Sequence, residues 1–217
     1  MINDIKGIMK TFILDFETSG FNPYQDDIIE IGAIETESGE TFSSLIRPKS
    51  EKEISQRITE VTGITNRLLR QVCREHGWTK GGWYDGFAEF YFWMIDQMRG
   101  DTECAIVSHN GTVFDFIYLK QYVKHLREGG GDTIDFDRLK IHYIDTLLLS
   151  KRLVVDRYSY KQGSLCKLFE IKVDVAHRAL ADVEALEKLY EKLRDQLRCR
   201  GYETTSQEVI DYIELRV

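Results

Sequence analysis

Three β-forming segments crowd the stretch between Thr11 and Ile46, and that crowding constrains the fold before anything else does. Thr11-Phe-Ile-Leu-Asp-Phe-Glu17 is rich in strand formers and ends at Thr-Ser-Gly20. Ile28 to Ile34 follows, then a Ser38-Gly39 turn, then Thr41 to Ile46 before Pro48. Turns of this kind make the three segments an antiparallel meander. Beyond it the pattern changes to alternation. Ser55 and Thr65 are placed to cap short helices running to Val61 and through Val72. Trp83 to Met98 carries Phe87, Phe90, Tyr91, Met94 and Met98 near helical spacing, which predicts a core-facing helix. Cys104 to Ser108 reads as a buried strand entering a helix from about Thr112 to Arg127, stopped by Gly129-Gly-Gly131. Ile141 to Thr146 reads as another strand, followed by helices around Leu147–Leu153 and Ser164–Phe169. The last long helix carries Val183, Leu186, Tyr190, Leu193 and Leu197 as one apolar stripe. A meander followed by alternation predicts an α/β fold with a mixed central sheet of about five strands flanked by helices. A chain of 217 residues suits one domain over 1–200. The tail, 201–217, has a short apolar set at Val209, Ile210, Ile213 and Leu215 that packs on the domain or on a partner.

Charge narrows the function classes. With 36 Asp and Glu against 29 Lys and Arg, the formal net charge is -7. That balance disfavours coating of nucleic acid or an anionic membrane by bulk charge, while leaving room for a local grip on a few phosphates. Cys73, Cys104, Cys166 and Cys199 are far apart and form no Cys-x-x-Cys pair, so they read as reduced thiols rather than a zinc site. No signal-peptide run opens the chain, and no stretch approaches the roughly 20 apolar residues of a membrane helix. A cytoplasmic or nuclear protein, not secreted and with no membrane partner, is the expectation.

Three clusters carry chemistry. Asp15 and Glu17 lie two apart on an otherwise apolar strand and so share a face. Buried charges need a basic partner or a metal ion; a solvated face of an edge strand is the plainer alternative. Asp115 closes His109-Asn-Gly-Thr-Val-Phe-Asp115, where a strand opens into a helix, a common place for a site in an α/β sheet. Compensation of the helix dipole would also explain it. His177-Arg-Ala-Leu-Ala-Asp182 opens the last helix. Five helical steps leave its two end side chains roughly 140° apart, so both reach one site only if His177 sits in the loop and Asp182 in the first turns.

Taken in order, Asp15, Glu17, Asp115, His177 and Asp182 resemble the signature of the DEDDh 3′→5′ exonucleases. The resemblance runs from about Thr11 to Leu193. It is carried by Phe-Ile-Leu-Asp15-Phe-Glu17-Thr-Ser-Gly20, Asp27-Ile-Ile-Glu-Ile-Gly-Ala33 and Ile58-Thr-Glu-Val-Thr-Gly63-Ile-Thr65, and by the Asp115 and His177 motifs. In texture it is nearest to proofreading subunits and domains of bacterial replicative polymerases. The sister class places a Tyr four residues before the last Asp, and Arg178 stands there instead.

The resemblance implies a ribonuclease-H-like fold and metal-dependent hydrolysis that trims single-stranded 3′ ends to nucleoside 5′-monophosphates, with DNA favoured over RNA. It implies two divalent ions, Mg²⁺ or Mn²⁺, about 4 Å apart. Asp15 would bridge them, Glu17 and Asp182 would complete the first, and Asp115 would support the second. His177 would accept the proton of the attacking water, or else orient it. Thr18 and Ser19 would border the terminal nucleotide with Phe16 backing the site, Thr62-Gly63-Ile64 would place Ile64 against the last base, and Asn110 and Phe114 would face the penultimate nucleotide. The rivals are a catalytically silent binding module of the same fold and an RNA-trimming exoribonuclease. A polymerase or other replication or repair partner would act in trans. Tyr158 and Tyr160 share a basic loop with Arg157 and Lys161 that would flank the entering strand or else be a plain surface loop, and the segment Cys73 to Met98 departs from the family in being unusually aromatic.

Overall fold

The computed structural model describes residues 9–50, 52–77, 82–129, 139–173 and 178–214. The predicted meander forms strands β1 (Lys10–Thr18), β2 (Ile28–Glu35) and β3 (Thr41–Leu45). Helices α1 (Gln56–Thr62), α2 (Asn66–Glu75) and α3 (Trp83–Met98) follow, then strand β4 (Glu103–Ser108), helix α4 (Asp115–Glu128) and strand β5 (Lys140–Asp145). Four helices complete the chain: α5 (Thr146–Leu153), α6 (Gln162–Leu168), α7 (Ala179–Arg198) and α8 (Ser206–Glu214). The sheet order is β3-β2-β1-β4-β5. β1, β2 and β3 pair antiparallel, while β4 runs parallel to β1 and β5 parallel to β4, the mixed five-stranded sheet that the pattern predicts.

The local signals act where they stand. Ser55 Oγ accepts the Ile58 amide and Thr65 Oγ1 the Leu68 amide, so both predicted caps hold helix starts. α4 begins later than its pattern suggests. A single 3₁₀ turn at Gly111–Val113 precedes it, and the helix opens on Asp115 itself.

Helices cover both faces of the sheet. On one, α3 and α4 bury Phe87, Phe90, Tyr91, Tyr118 and Tyr122 against Phe12, Leu14 and Phe16. The aromatic stretch is thus mostly core, with Phe92 the large exposed ring of α3. On the other face α7 lays its stripe (Val183, Leu186, Tyr190, Leu193, Leu197) against Ile13, Ile34, Ala105 and Val107. The segment after α7 folds back: Val209 and Ile210 of α8 enter that second core, and Arg152 donates to the Tyr212 carbonyl at 2.6 Å. No described helix is long and apolar enough to cross a membrane.

The first turn of α7 comes so close to β2 that only glycine fits beneath it. A Cβ on Gly32 would stand 2.4 Å from the carbonyl carbon of Ala179 and 2.6 Å from the Leu180 nitrogen, both backbone atoms that cannot swing aside. Glycine inside a strand commonly marks such an approach. Gly32→Ala is therefore expected to lower stability by about 1–3 kcal/mol, the usual range for overpacking. Thermal melts should show a drop of about 2–4 °C for each kcal/mol in a chain of this size.

Candidate active site

β1 outruns its parallel neighbour. β4 pairs with it from Lys10 opposite Cys104 to Ile13 opposite Val107, so Asp15 and Glu17 lie past the last pair. They stand at the carboxyl end of the parallel strands, where open α/β sheets receive ligands. Alternation along β1 sends Phe12, Leu14 and Phe16 into the α3/α4 core and turns Ile13, Asp15 and Glu17 towards α7. There α7 supplies Asp182 from its first turn, where the helix dipole favours negative charge. Carboxylate oxygens of Asp15, Glu17 and Asp182 all lie within 4.8 Å of one another.

A buried acid on β2 holds the start of α7 in place. Glu30, directly opposite Glu17, is 2% exposed. Its carboxylate accepts from Arg178 Nε at 3.0 Å and Nη2 at 2.7 Å, and from the Ala179 amide at 3.1 Å. Arg178 thus serves as a clamp at the position that distinguishes the two classes in sequence. From the other side Gln162 Nε2 donates to the Asp182 carbonyl at 2.8 Å.

Asp115 approaches from α4. It is buried, its Oδ1 accepting the Phe16 amide at 3.2 Å and its Oδ2 the Ser108 hydroxyl at 2.5 Å. Its carboxylate stands outside the group of three, engaged by donors of β1 and β4. The loop between β4 and α4 is tied down by the buried Asp145, which accepts the amides of Asn110 and Thr112, both at 3.0 Å, and of Leu147 at 2.9 Å. His109 bridges Thr146 Oγ1 and the Tyr160 carbonyl, both at 2.9 Å, a structural role. Burial pushes its pKa below the usual histidine value, so the neutral ring donates from Nε2 to the carbonyl. His177 lies outside the described residues.

The expected substrate contacts divide. Ile64 is 1% exposed, enclosed by Ile29, Ile54, Ile58 and Leu69, and its side chain belongs to a small core rather than to a base-contacting surface. Phe16 is likewise core, edge-on to Phe90 with ring centroids 6.4 Å apart. Both side chains are buried, and the Phe16 backbone serves the site through Asp115. Thr62 Oγ1 donates to the Ile58 carbonyl, and Gly63, at a φ of 71°, ends α1. Thr18 Oγ1 donates to the Gly20 carbonyl at 2.6 Å, and Ser19 Oγ accepts the Asp27 amide at 2.8 Å, so both shape the β1–β2 loop. Asn110 adopts a left-handed φ of 65°, and Phe114 is half-buried against Tyr118.

Glu30 and Asp145 were not singled out from sequence as functional, although each is an acid in an apolar strand, the same signal that marks Asp15. Ser108 and Gln162 carry no such signal.

Burial, reinforced by like charges, dominates the electrostatics. Burial, then Asp182, Glu30 and Asp115, push the Glu17 carboxyl up to about 8, against a smaller pull from Arg178. Burial and the charges of Asp115, Glu17, Asp182 and Glu30 hold Asp15 well above the ordinary range. Burial raises Asp115 to about 6 despite the bonds from Ser108 and Phe16. Acids whose folded pKa is raised stabilise the fold below their unfolded pKa and lose that contribution as pH climbs to the folded one. For Glu17 the window runs from 4.5 to about 8. In EDTA, Glu17→Gln should therefore melt above wild type at pH 8, by about 2–4 °C for each kcal/mol of repulsion relieved. The difference should vanish near pH 4.

Residues 12–76 match the exonuclease family model RNase_T. A PolC-type DNA polymerase III of Thermotoga maritima is 30% identical over 212 residues, covering 94% of this chain and 14% of the polymerase. The chain thus spans about one seventh of that relative. Among solved structures, the zinc-bound E. coli ExoI–ssDNA complex aligns with a TM-score of 0.65 at 20% identity, over 94% of this chain and 42% of that one. A 3′-exonuclease recognising the 3′ end of histone mRNA stem-loop aligns with a TM-score of 0.61 at 16% identity, over 87% and 65%. Signature, the match over residues 12–76 and fold agree: the chain has the ribonuclease-H-like fold and resembles DEDD-type 3′→5′ exonucleases, polymerase proofreading domains among them.

Proposed function

We propose that this exonuclease trims single-stranded 3′ ends, with DNA as its preferred substrate, and releases nucleoside 5′-monophosphates. The observation that carries the reading is the convergence of Asp15, Glu17 and Asp182 within 4.8 Å at the end of the parallel strands. Three carboxylates so close, with those of Asp15 and Glu17 raised in pKa by burial and by neighbouring charge, suit a hard divalent cation, which takes oxygen ligands. Mg²⁺ or Mn²⁺ held there, with Asp115 supporting a second ion, would supply an activated water and a sink for charge on the leaving oxygen. The protein's part is positional. β1 presents Asp15 and Glu17 on one face, and Glu30 with Arg178 fixes the helix start that carries Asp182. Asp115, anchored on Phe16 and Ser108, turns towards the same end. His177, two positions before α7 in sequence, accepts the proton of the attacking water. The likeness to a DNA polymerase favours DNA and a polymerase partner, and a cytoplasmic site of action. The likeness to an exonuclease acting on histone mRNA supports RNA as the alternative.

Matched 5′-labelled DNA and RNA strands, incubated with Mg²⁺, Mn²⁺ or EDTA, test the reading. A ladder shortening from the 3′ end, faster on DNA and absent in EDTA, is expected. Asp15→Ala and Asp182→Asn should each lower the rate at least about 100-fold, a loss of about 2.7 kcal/mol of transition-state stabilisation. Cleavage of a circular strand, or full activity in EDTA, would contradict the mechanism. His177→Ala should cost about 10²–10⁴-fold and abolish the rise of rate with pH near neutrality.

A further inference from the structure

The loop between α5 and α6 exposes apolar and cationic groups while its base is tied to the carboxylate site. Tyr158 is fully exposed and Val155 is 69% exposed. Arg157 and Lys161 are exposed, and their side chains have no hydrogen-bond or ion-pair partner among the described residues. The framework below them is held at several points. Tyr160 Oη donates to the Val154 carbonyl at 2.7 Å, closing the loop on itself. The Tyr160 carbonyl accepts from His109, next to Asn110. Ser164 and Ser159 are joined at 3.0 Å. Gln162, at the start of α6, donates to the carbonyl of Asp182, one of the three converging acids. Tyr158 lies four positions before Gln162, at most about 14 Å of extended chain. The ring therefore stands beside the site but outside the carboxylate cluster.

We propose that this loop is a binding platform for the single strand a few nucleotides upstream of the 3′ end, with Tyr158 stacking on a base and Arg157 and Lys161 meeting phosphates. The proposal rests on the exonuclease reading above. Two observations favour a nucleic-acid strand over other occupants. The elements facing the site are acidic (Asp15, Glu17, Asp182, Glu30), so an incoming polyanion needs cations just beyond them; the loop supplies two, offset in part by Asp156. An exposed ring between cations is also the pairing with which proteins hold single strands without regard to sequence. Continuity with the site, through Gln162 and His109, places the platform on the strand's path.

Binding measured without hydrolysis tests this. In an Asp15→Asn background with Mg²⁺, fluorescence anisotropy compares 5′-labelled single strands of four and twelve nucleotides. The longer strand is expected to bind more tightly, and Tyr158→Ala should remove about 5–10-fold of that gain while Tyr158→Phe keeps it. Arg157→Ala with Lys161→Ala should flatten the dependence of log affinity on log salt by about 1.4, or 0.7 for each phosphate contact on a single strand. A length gain unchanged in Tyr158→Ala would overturn the proposal and leave the exposed ring to a protein partner. Equal losses on both lengths would overturn it too, placing the effect at the 3′ end. Absence of 3′ trimming by the wild-type protein would instead fail the underlying reading.

Discussion

Like charges brought together against their own repulsion organise this protein. Asp15, Glu17 and Asp182 converge within 4.8 Å, with Asp115 and Glu30 close enough to raise the pKa values of Asp15 and Glu17 further. Left to themselves, carboxylates in a partly dry site separate or stay protonated. The surrounding structure prevents the first outcome, and the second applies to Glu17, whose carboxyl is pushed up to about 8. A site strained in this way binds a cation strongly because the cation relieves the repulsion.

What holds the acids together is mostly backbone. Asp15 and Glu17 cannot part because they are two apart on one strand. Asp182 cannot recede because α7 begins against Gly32, where a Cβ would overlap the helix backbone, and because Glu30 grips both Arg178 and the Ala179 amide. Glu30 has two effects of opposite sign: it raises the Glu17 pKa through its charge, and it fixes the helix that brings Asp182 near. Arg178 moderates the first effect while transmitting the second. Asp145 performs a similar service on the other side, gathering three amides so that the loop into α4 can deliver Asp115.

Much of this was legible in the chain. Period-two apolar patterns and short turns predict the meander, and period-3.6 stripes predict α3 and α7, because burial on one face is a local property of sequence. The Asp15–Glu17 pair was legible for the same reason: a charge on a buried strand face has to be accounted for. The burial of Ile64 and Phe16 was not legible, because motif spacing says which residues lie near a site, while side-chain direction depends on packing against distant elements such as α2 and α3. Glu30 shows the converse. It is as conspicuous as Asp15 in an apolar strand, yet its partner lies 148 positions away and only tertiary structure joins them. The start of α4 moved from Thr112 to Asp115 because Asp145, remote in sequence, captures the Asn110 and Thr112 amides.

The central claim is that the repelling carboxylates exist to hold divalent ions. Calorimetric titration of the metal-free protein with Mn²⁺ at pH 7, repeated in buffers of different ionisation enthalpy, tests it most directly. Because the Glu17 carboxyl is pushed up to about 8, it holds a proton there without metal, and binding should release at least one proton, seen as an apparent enthalpy that changes with the buffer. Two bound ions with proton release are predicted for the wild type, and neither for Asp15→Asn. Failure to bind, or binding with no release of protons, would contradict the account.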